Sequence, residues 1–166
     1  MEFKTYILFG IAVFLFLFAG TEKTSLTEGC RLGDLAPGIE SEEKGRMIDF
    51  SNSECFSLVN FWAVYDAASR IRNIQLWNKM KELDSTRINL YSVSMDENKS
   101  VFEETLKMDK LGTKNQLFDK RGKKSPVYRK YGLKNGFRNF LIDKRGVIIA
   151  IDVSPDELSK IAGKTM

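Results

Sequence analysis

The run Leu58-Val59-Asn60-Phe61-Trp62-Ala63-Val64 constrains the fold more than any other part of the sequence. It is almost wholly apolar and is rich in aromatic and β-branched residues. A short continuous apolar run of this composition is typical of a strand that is buried on both faces. We therefore predict a central strand here, in a sheet flanked by helices.

The apolar spacing changes to that of a helix after this strand. Between positions 67 and 83, apolar residues recur every three positions among polar ones, at Ile71, Ile74, Trp77, Met80 and Leu83. This pattern predicts an amphipathic helix with those residues on its buried face. A second strand is predicted over 88–95 and a second helix over 99–111. A strand, a helix and a strand within about 40 residues make a right-handed βαβ unit with parallel strands.

The buried side of the second helix is predicted from its apolar residues and one threonine, namely Val101, Phe102, Thr105 and Leu106.

The second half of the chain has the pattern of a hairpin followed by a helix. Strands are predicted over 138–143 and 147–153, and Gly146 between them supplies the left-handed residue of the turn. Ser154 and Pro155 open a last helix as N-cap and first helical residue. Short strands are expected at 48–50 and 116–118, with a short helix over 126–131. The predicted fold is of the α/β class, a central mixed sheet with βαβ and then ββα order.

The N-terminus carries an export segment. Lys4 precedes an uncharged apolar run from residue 6 to residue 19, which has the length of the apolar part of a signal peptide and is short for a spanning helix. Cleavage after Gly20 would leave Phe18 at the third-last position, where small residues are preferred. Residues 1–20 are therefore a signal peptide or an uncleaved membrane anchor, residues 21–30 a linker, and residues 31–166 the folded domain. We expect a periplasmic or cell-envelope protein that touches the membrane only through this segment.

Composition excludes several classes of function. The chain has no histidine, so it lacks histidine-based nucleophile pairs, histidine general bases and histidine metal ligands. The formal charge of +4 comes from 26 basic and 22 acidic residues, which describes a mixed solvated surface and does not indicate nucleic acid. No metal and no other cofactor is expected.

The two cysteines, Cys30 and Cys55, are too far apart in sequence to form a C-x-x-C pair. Export would place them in an oxidising compartment, so one alternative is a structural disulfide between them. Otherwise we expect Cys55 to be a half-buried small residue and Cys30 to be a free exposed thiol.

The order of elements, taken with several motifs, resembles the thioredoxin fold. It is most similar to the envelope thiol-disulfide oxidoreductases related to the cytochrome-c-maturation thioredoxins. Those proteins carry N-F-W-A-x-W-C-x-x-C-R where this chain reads N-F-W-A-V-Y-D-A-A-S-R over positions 60–70. The run Leu32-Gly33-Asp34-Leu35-Ala36-Pro37 is similar to the opening motif of the family. Residues 93–96 are similar to its second core strand, and residues 131–133 with 140–143 are similar to its later strand.

The resemblance implies that the chemistry of the family is missing here. Its reaction needs a thiolate at the helix N-terminus and a second thiol three residues later. Asp66 and Ser69 stand at those positions, and Phe137 aligns with the cis-proline of the family. Arg72 replaces a glutamate that many relatives have. We call the positions around this site the former active-site face; its members are Tyr65, Asp66, Ser69, Arg70, Arg72 and Phe137.

Each of these residues has a structural and a functional interpretation. Asp66 has the composition of a helix N-cap, and the helix dipole would stabilise its charged form. Arg70 and Arg72 are either solvated helix residues or ligands for an anion at the helix N-terminus. Tyr65 and Phe137 are either core residues or part of a surface that binds a protein or peptide.

Three functions remain open from the sequence. The leading hypothesis is a redox-inactive thioredoxin-fold module of the envelope that binds a protein or peptide through the former active-site face. The alternative is an enzyme, either a thiol-disulfide oxidoreductase or a thiol-peroxidase-like protein that uses Cys30 or Cys55. The third is a purely structural domain in an envelope assembly.

Overall fold

The computed structural model describes residues 26–41, 46–83 and 87–164. The strands are β1 (Ile39–Ser41), β2 (Arg46–Ile48), β3 (Phe56–Trp62), β4 (Ile88–Ser94), β5 (Gln116–Phe118), β6 (Asn139–Ile142) and β7 (Ile148–Ile151). The helices are α1 (Ala67–Glu82), α2 (Lys99–Met108), α3 (Pro126–Lys130) and α4 (Pro155–Lys164). Two 3-10 turns cover Gly122–Lys124 and Leu133–Asn135.

The main sheet has five strands in the order β5-β4-β3-β6-β7. Strand β3 pairs in parallel with β4, which in turn pairs in parallel with β5. Strands β6 and β7 continue the sheet on the other side of β3 in antiparallel pairing. This confirms the predicted mixed sheet with βαβ and then ββα order.

Strand β3 occupies the centre of the sheet, as its apolar run predicts. Leu58, Val59, Phe61 and Trp62 are all fully buried. The strand begins and ends two residues earlier than predicted. Its last paired residue is Trp62, and the amide of Val64 then turns to bind the carboxylate of Asp96. The chain leaves the sheet at this point and forms the loop that leads into α1.

The predicted buried face of α1 is wrong only for Ile71. The other four residues, Ile74, Trp77, Met80 and Leu83, are half-buried and pack against the core. Ile71 is 55% exposed, whereas the three fully buried side chains of the helix are Ser69, Asn73 and Leu76. Asn73 is buried because it completes a hydrogen-bonded row beneath the helix. Its amide oxygen accepts a bond of 3.0 Å from Asn60 of β3 and another from the hydroxyl of Ser92 of β4.

Two smaller predictions also need correction. The strand expected at 48–50 is instead β2, which pairs with β1 as a separate hairpin. In α2, Phe102, Thr105 and Leu106 are buried as predicted, but Val101 is 43% exposed because it lies at the side of the helix that faces a surface cleft.

The predicted turn between β6 and β7 is confirmed. Gly146 has a φ of +86°, the left-handed region that L side chains rarely adopt. A Cβ at this position would also lie 3.3 Å from the backbone nitrogen of Ser51. Both the conformation and the close approach of the backbone therefore favour glycine.

Ordered backbone contacts begin upstream of Arg31. Glu28 pairs with Leu35, and Leu35 pairs with Val147 next to β7. The predicted export segment, residues 1–20, and the first part of the predicted linker lie outside the described residues. In the ranges that the structure describes, no helix combines the length and the apolar character that crossing a membrane requires.

Candidate functional site

The former active-site face is built around the loop that joins β3 to α1. Asp66 is the N-cap of α1, and its Oδ1 accepts a bond of 2.8 Å from the backbone nitrogen of Ser69. This backbone bond is the main cause that lowers the pKa of Asp66, and the hydroxyl of Ser69 adds to it. A carboxylate stabilised in this way is a weak base. The N-cap interpretation of Asp66 is therefore the one that the geometry supports.

Ser69 is enclosed beneath the first turn of α1, with only 1% of its surface exposed. Its hydroxyl donates to the carbonyl oxygen of Asp66 at 3.1 Å and accepts from the backbone nitrogen of Ala63 at 3.3 Å. Both bonds tie the helix to the preceding loop. The hydroxyl is thus engaged in structural contacts and has no histidine to activate it.

Asp96 holds the loop from the other side, a role that sequence reasoning missed. Its two carboxylate oxygens accept from the backbone nitrogen of Val64 at 3.0 and 3.1 Å, and the hydroxyl of Ser94 donates to one of them at 2.7 Å. Asp96 itself is 4% exposed. In the sequence, this role of Asp96 is indicated only by its position shortly after β4. The loops at the carboxyl ends of neighbouring parallel strands meet there.

Phe137 lies across the face from Asp66, on the loop before β6. None of the peptide bonds in the described ranges is cis. The carbonyl oxygen of Phe137 accepts a bond of 2.6 Å from the guanidinium of Arg72. This carbonyl is therefore already bonded within the protein.

The two arginines of the face have separate roles. Arg72 is half-buried, and its second contact is a longer one of 3.4 Å to the side-chain oxygen of Asn60. Burial lowers the pKa of Arg72, while the carboxylates of Asp152 and Asp66 oppose this shift.

Arg70 turns away from Phe137 and forms a two-pronged ion pair with Asp109, at 2.6 and 2.7 Å. The structure therefore does not bring the two arginines together around one anion, and neither projects freely into solvent.

An aromatic group lies at the edge of the face. The rings of Tyr65 and Phe137 are 6.1 Å apart, and Tyr128 meets Phe137 at 6.4 Å. Tyr65 is 59% exposed, whereas Phe137 is half-buried. Trp62 does not join this group because it is fully buried against Phe102, as expected of a residue in the predicted central strand.

A surface cleft of about 450 Å³ opens beside Tyr65. Its lining combines apolar, acidic and basic residues, namely Tyr65, Met95, Asp96, Glu97, Asn98, Val101 and Lys123. The ammonium of Lys123 lies 5.7 Å from the centre of the Tyr65 ring. Partial burial raises the pKa of Tyr65, and the Asp96 carboxylate adds to this effect. Aromatic, charged and apolar groups together are suited to binding a side chain of a peptide.

The two thiols are unpaired, and neither occupies a former active-site position. The alternative of a disulfide between Cys30 and Cys55 is wrong, since both cysteines are free. Cys55 precedes β3, at the opposite end of this strand from Asp66, and its sulfur accepts a bond of 3.0 Å from Asn89. Cys30 packs against the core beside Gly132 and is half-buried instead of exposed.

Within the described ranges, no group of three or more cysteine, aspartate and glutamate side chains is placed to hold a metal ion. The geometry of the face therefore offers contacts for binding and no pair of thiols.

Comparison with known proteins adds a family to this description. No family model matches the sequence, and no curated protein matches it. Among solved structures, a thioredoxin-like protein from Parabacteroides distasonis ATCC 8503 is 47% identical, with a TM-score of 0.77. The match covers 84% of this chain and 99% of that protein.

Two more distant structures share the fold. A thiol-disulfide oxidoreductase from Bacteroides fragilis NCTC 9343 is 24% identical with a TM-score of 0.68, over 80% of this chain and all of the other. StoA from Bacillus subtilis is 18% identical with a TM-score of 0.59, over 77% of this chain and 97% of the other. The chain belongs to the family of thioredoxin-like proteins.

Proposed function

We propose that the protein is a redox-inactive thioredoxin-fold module of the cell envelope that binds a protein or peptide partner through its former active-site face. One observation carries the proposal. Asp66 and Ser69 stand where the resemblance places the two thiols. Both side chains form hydrogen bonds within the protein at the start of α1. Neither can form a mixed disulfide, which is the intermediate of thiol-disulfide exchange.

The remaining cysteines do not replace the missing pair. Seven residues of β3 at about 3.3 Å each separate Cys55 from the loop of Asp66 by roughly 20 Å. Cys30 lies beside Gly132, on a different segment. Each thiol is single and half-buried, whereas thiol-disulfide exchange needs an accessible thiolate and a second thiol that resolves the mixed disulfide. This favours binding over the alternative of an enzyme that uses either cysteine.

The aromatic edge supports binding at this face. Tyrosine and phenylalanine contribute large contact areas with few rotatable bonds, and aromatic residues are enriched among the dominant residues of interfaces. Tyr65 offers most of its surface to solvent beside the cleft, and the loop that carries it is fixed by Asp96 and Ser69. A fixed exposed ring lowers the entropic cost of binding a partner.

The envelope location rests on the N-terminal sequence. Lys4 followed by the apolar run of residues 6–19 is the pattern of an export segment. Export would deliver the domain to the periplasm or the outer side of the membrane, where its partner would also be found.

Site-specific photo-crosslinking tests the binding surface. A benzoyl-phenylalanine is placed at position 65 of the full chain, expressed in the native cells, and at position 149 as a matched control. Ile149 is 43% exposed but lies on β7, away from the face. We expect one discrete adduct from position 65 and none from position 149, and Phe137→Ala should weaken the adduct while the circular dichroism stays native. Equal adducts from both positions, or none from position 65, would contradict the proposal.

A further inference from the structure

A second surface of the domain carries basic and apolar residues next to the N-terminal segment. It is formed by residues 26–35 together with the end of α3 and the turn after it, residues 129–135. We call it the basal surface. Its exposed apolar residues are Leu26, at 48% exposure, and Leu32, at 64%. Its four basic residues, all exposed, are Arg31, Arg129, Lys130 and Lys134.

Two contacts join these stretches into one surface. The ammonium of Lys130 forms an ion pair of 2.8 Å with Glu28. The sulfur of Cys30 lies beside Gly132, 3.4 Å from the point where a Cβ would stand. The two stretches, with the exposed basic residues that they carry, are therefore neighbours on the surface.

The acidic residues of the basal surface leave its charge positive. They are Glu28, which is paired with Lys130, and Asp34, which accepts a bond of 2.9 Å from the backbone nitrogen of Arg31. The four basic residues thus outnumber the two acidic ones. A positive surface that also exposes two leucines fits an anionic lipid bilayer, which offers phosphate groups and an apolar interior.

The short stretch between the apolar run and Leu26 limits how far the basal surface can lie from the membrane. Ala19 ends the apolar run, and only seven residue steps separate it from Leu26. A fully extended chain of seven residues spans at most about 25 Å. If the apolar run stays in a bilayer, the end of the domain that carries Leu26 cannot move further than that from the lipid.

Retention of the apolar run agrees with its sequence. Cleavage after Gly20 would leave Phe18 at the third-last position, and cleavage after Ala19 would leave Leu17 there. Both are large, whereas the processing site prefers small residues.

We infer that the basal surface lies on the headgroups of an anionic membrane and so fixes how the former active-site face is presented. This rests on the proposed envelope function, with residues 1–20 as a retained anchor. It adds a direct contact between the folded domain and lipid, made by Leu26, Leu32 and the basic residues. Two signals, an apolar segment and a basic patch, give stable and oriented attachment.

Depth-dependent quenching tests the contact. The full chain is reconstituted into phosphatidylglycerol vesicles that contain brominated lipid, and tryptophan fluorescence is measured for Leu32→Trp and for Met108→Trp. Leu32 lies next to Gly33, which is bonded to β7 at one edge of the sheet, whereas Met108 ends the helix that leads to β5 at the other edge. The native Trp62 is fully buried and Trp77 packs in the core, so they supply a constant background.

We expect bromolipid to quench the tryptophan at position 32 at least about threefold more than the one at position 108. Adding Arg31→Glu and Lys134→Glu should remove most of this difference, because each basic residue near an anionic surface changes its population there by roughly fivefold. Phosphatidylcholine vesicles should give the same loss. Equal quenching at the two positions, or quenching that is unaffected by charge reversal and by lipid charge, would overturn the inference.

Flotation of the same vesicles separates the two proposals. A chain that floats with the vesicles but shows no excess quenching at position 32 retains its anchor and disproves only the basal contact. A chain that does not float, or whose intact mass in native membranes shows that residues 1–20 are removed, disproves the anchor and with it this inference. Neither result affects the crosslinking test at position 65.

Discussion

Asp66 stands where the sequence resemblance places the attacking thiol of the thiol-disulfide oxidoreductases, at the N-cap of α1. The start of a helix stabilises a negative charge, whether a thiolate or a carboxylate. In this protein the carboxylate of Asp66 accepts a hydrogen bond from the backbone nitrogen of Ser69, three residues later. The helix dipole that would stabilise the thiolate of a cysteine at this position stabilises the carboxylate of the N-cap instead.

The stability of the fold should therefore depend on Asp66 and on pH. Asp66→Ala should lower the free energy of unfolding by about 1 kcal/mol at pH 7, since it removes an N-cap. The pKa of Asp66 is lowered in the folded state, so this stabilisation is present above the usual carboxyl pKa of 3.8 and is lost as pH falls through the lower folded value. Urea unfolding of both proteins at pH 7 and at pH 2.5 checks the effect.

Asp66→Asn is the matched control, because asparagine also caps helices but does not titrate. It should keep most of the stability at pH 7. A difference between the wild-type protein and Asp66→Ala that grows on acidification would contradict the assigned role.

The N-cap at Asp66 could be predicted from the sequence, but the roles of Arg72 and Asp96 could not. A cap is a local contact, set by the residue type just before a helical pattern. By contrast, Arg72 bonds to a carbonyl 65 positions away and Asp96 to an amide 32 positions away. Only the packed structure shows contacts of this kind.

At the scale of elements, periodicity located α1 and four of its core-facing residues, but not the residues that it buries most deeply. The three-residue spacing of apolar residues gave the helix its correct start, yet the helix buries the polar residue Asn73 and exposes Ile71. Asn73 can be buried because Asn60 and Ser92, on adjacent strands, donate hydrogen bonds to it. A burial pattern that depends on partners in other strands is not encoded in the spacing of the helix alone.

The loop between β3 and α1 should be held mainly by Asp96. Asp96→Ala leaves the amide of Val64 without its partner, so it should cost about 1–3 kcal/mol of unfolding free energy. It should also speed hydrogen exchange at the amide of Val64, because local opening becomes easier. The exposed Asp49→Ala, which loses only bonds to the nearby Ser51, should change exchange at Val64 very little. Unchanged exchange at Val64 in Asp96→Ala would contradict this role.

At the scale of the whole molecule, the protein retains a thioredoxin-like sheet and lacks the pair of thiols. The order of strands and the parallel and antiparallel pairings follow from the sequence pattern, because apolar runs, helical spacing and turn residues all favour one topology. The position of the cysteines was harder to predict. The spacing of Cys30 and Cys55 left a disulfide open, and only the fold shows that both thiols are free.

The fold should accept a restored pair of thiols at the start of α1. The start of α1 keeps the geometry of a thiolate site, with Ser69 enclosed where a second thiol would fit and Asp66 at the cap. Asp66→Cys combined with Ser69→Cys should therefore create a C-x-x-C pair that can form a disulfide.

The most direct test of the central claim is insulin reduction by dithiothreitol, measured with the wild-type protein beside this double variant. We predict no acceleration by the wild-type protein and a clear acceleration by the double variant, with Cys30→Ser and Cys55→Ser changing neither result. Acceleration by the wild-type protein that disappears in Cys30→Ser or Cys55→Ser would contradict the account.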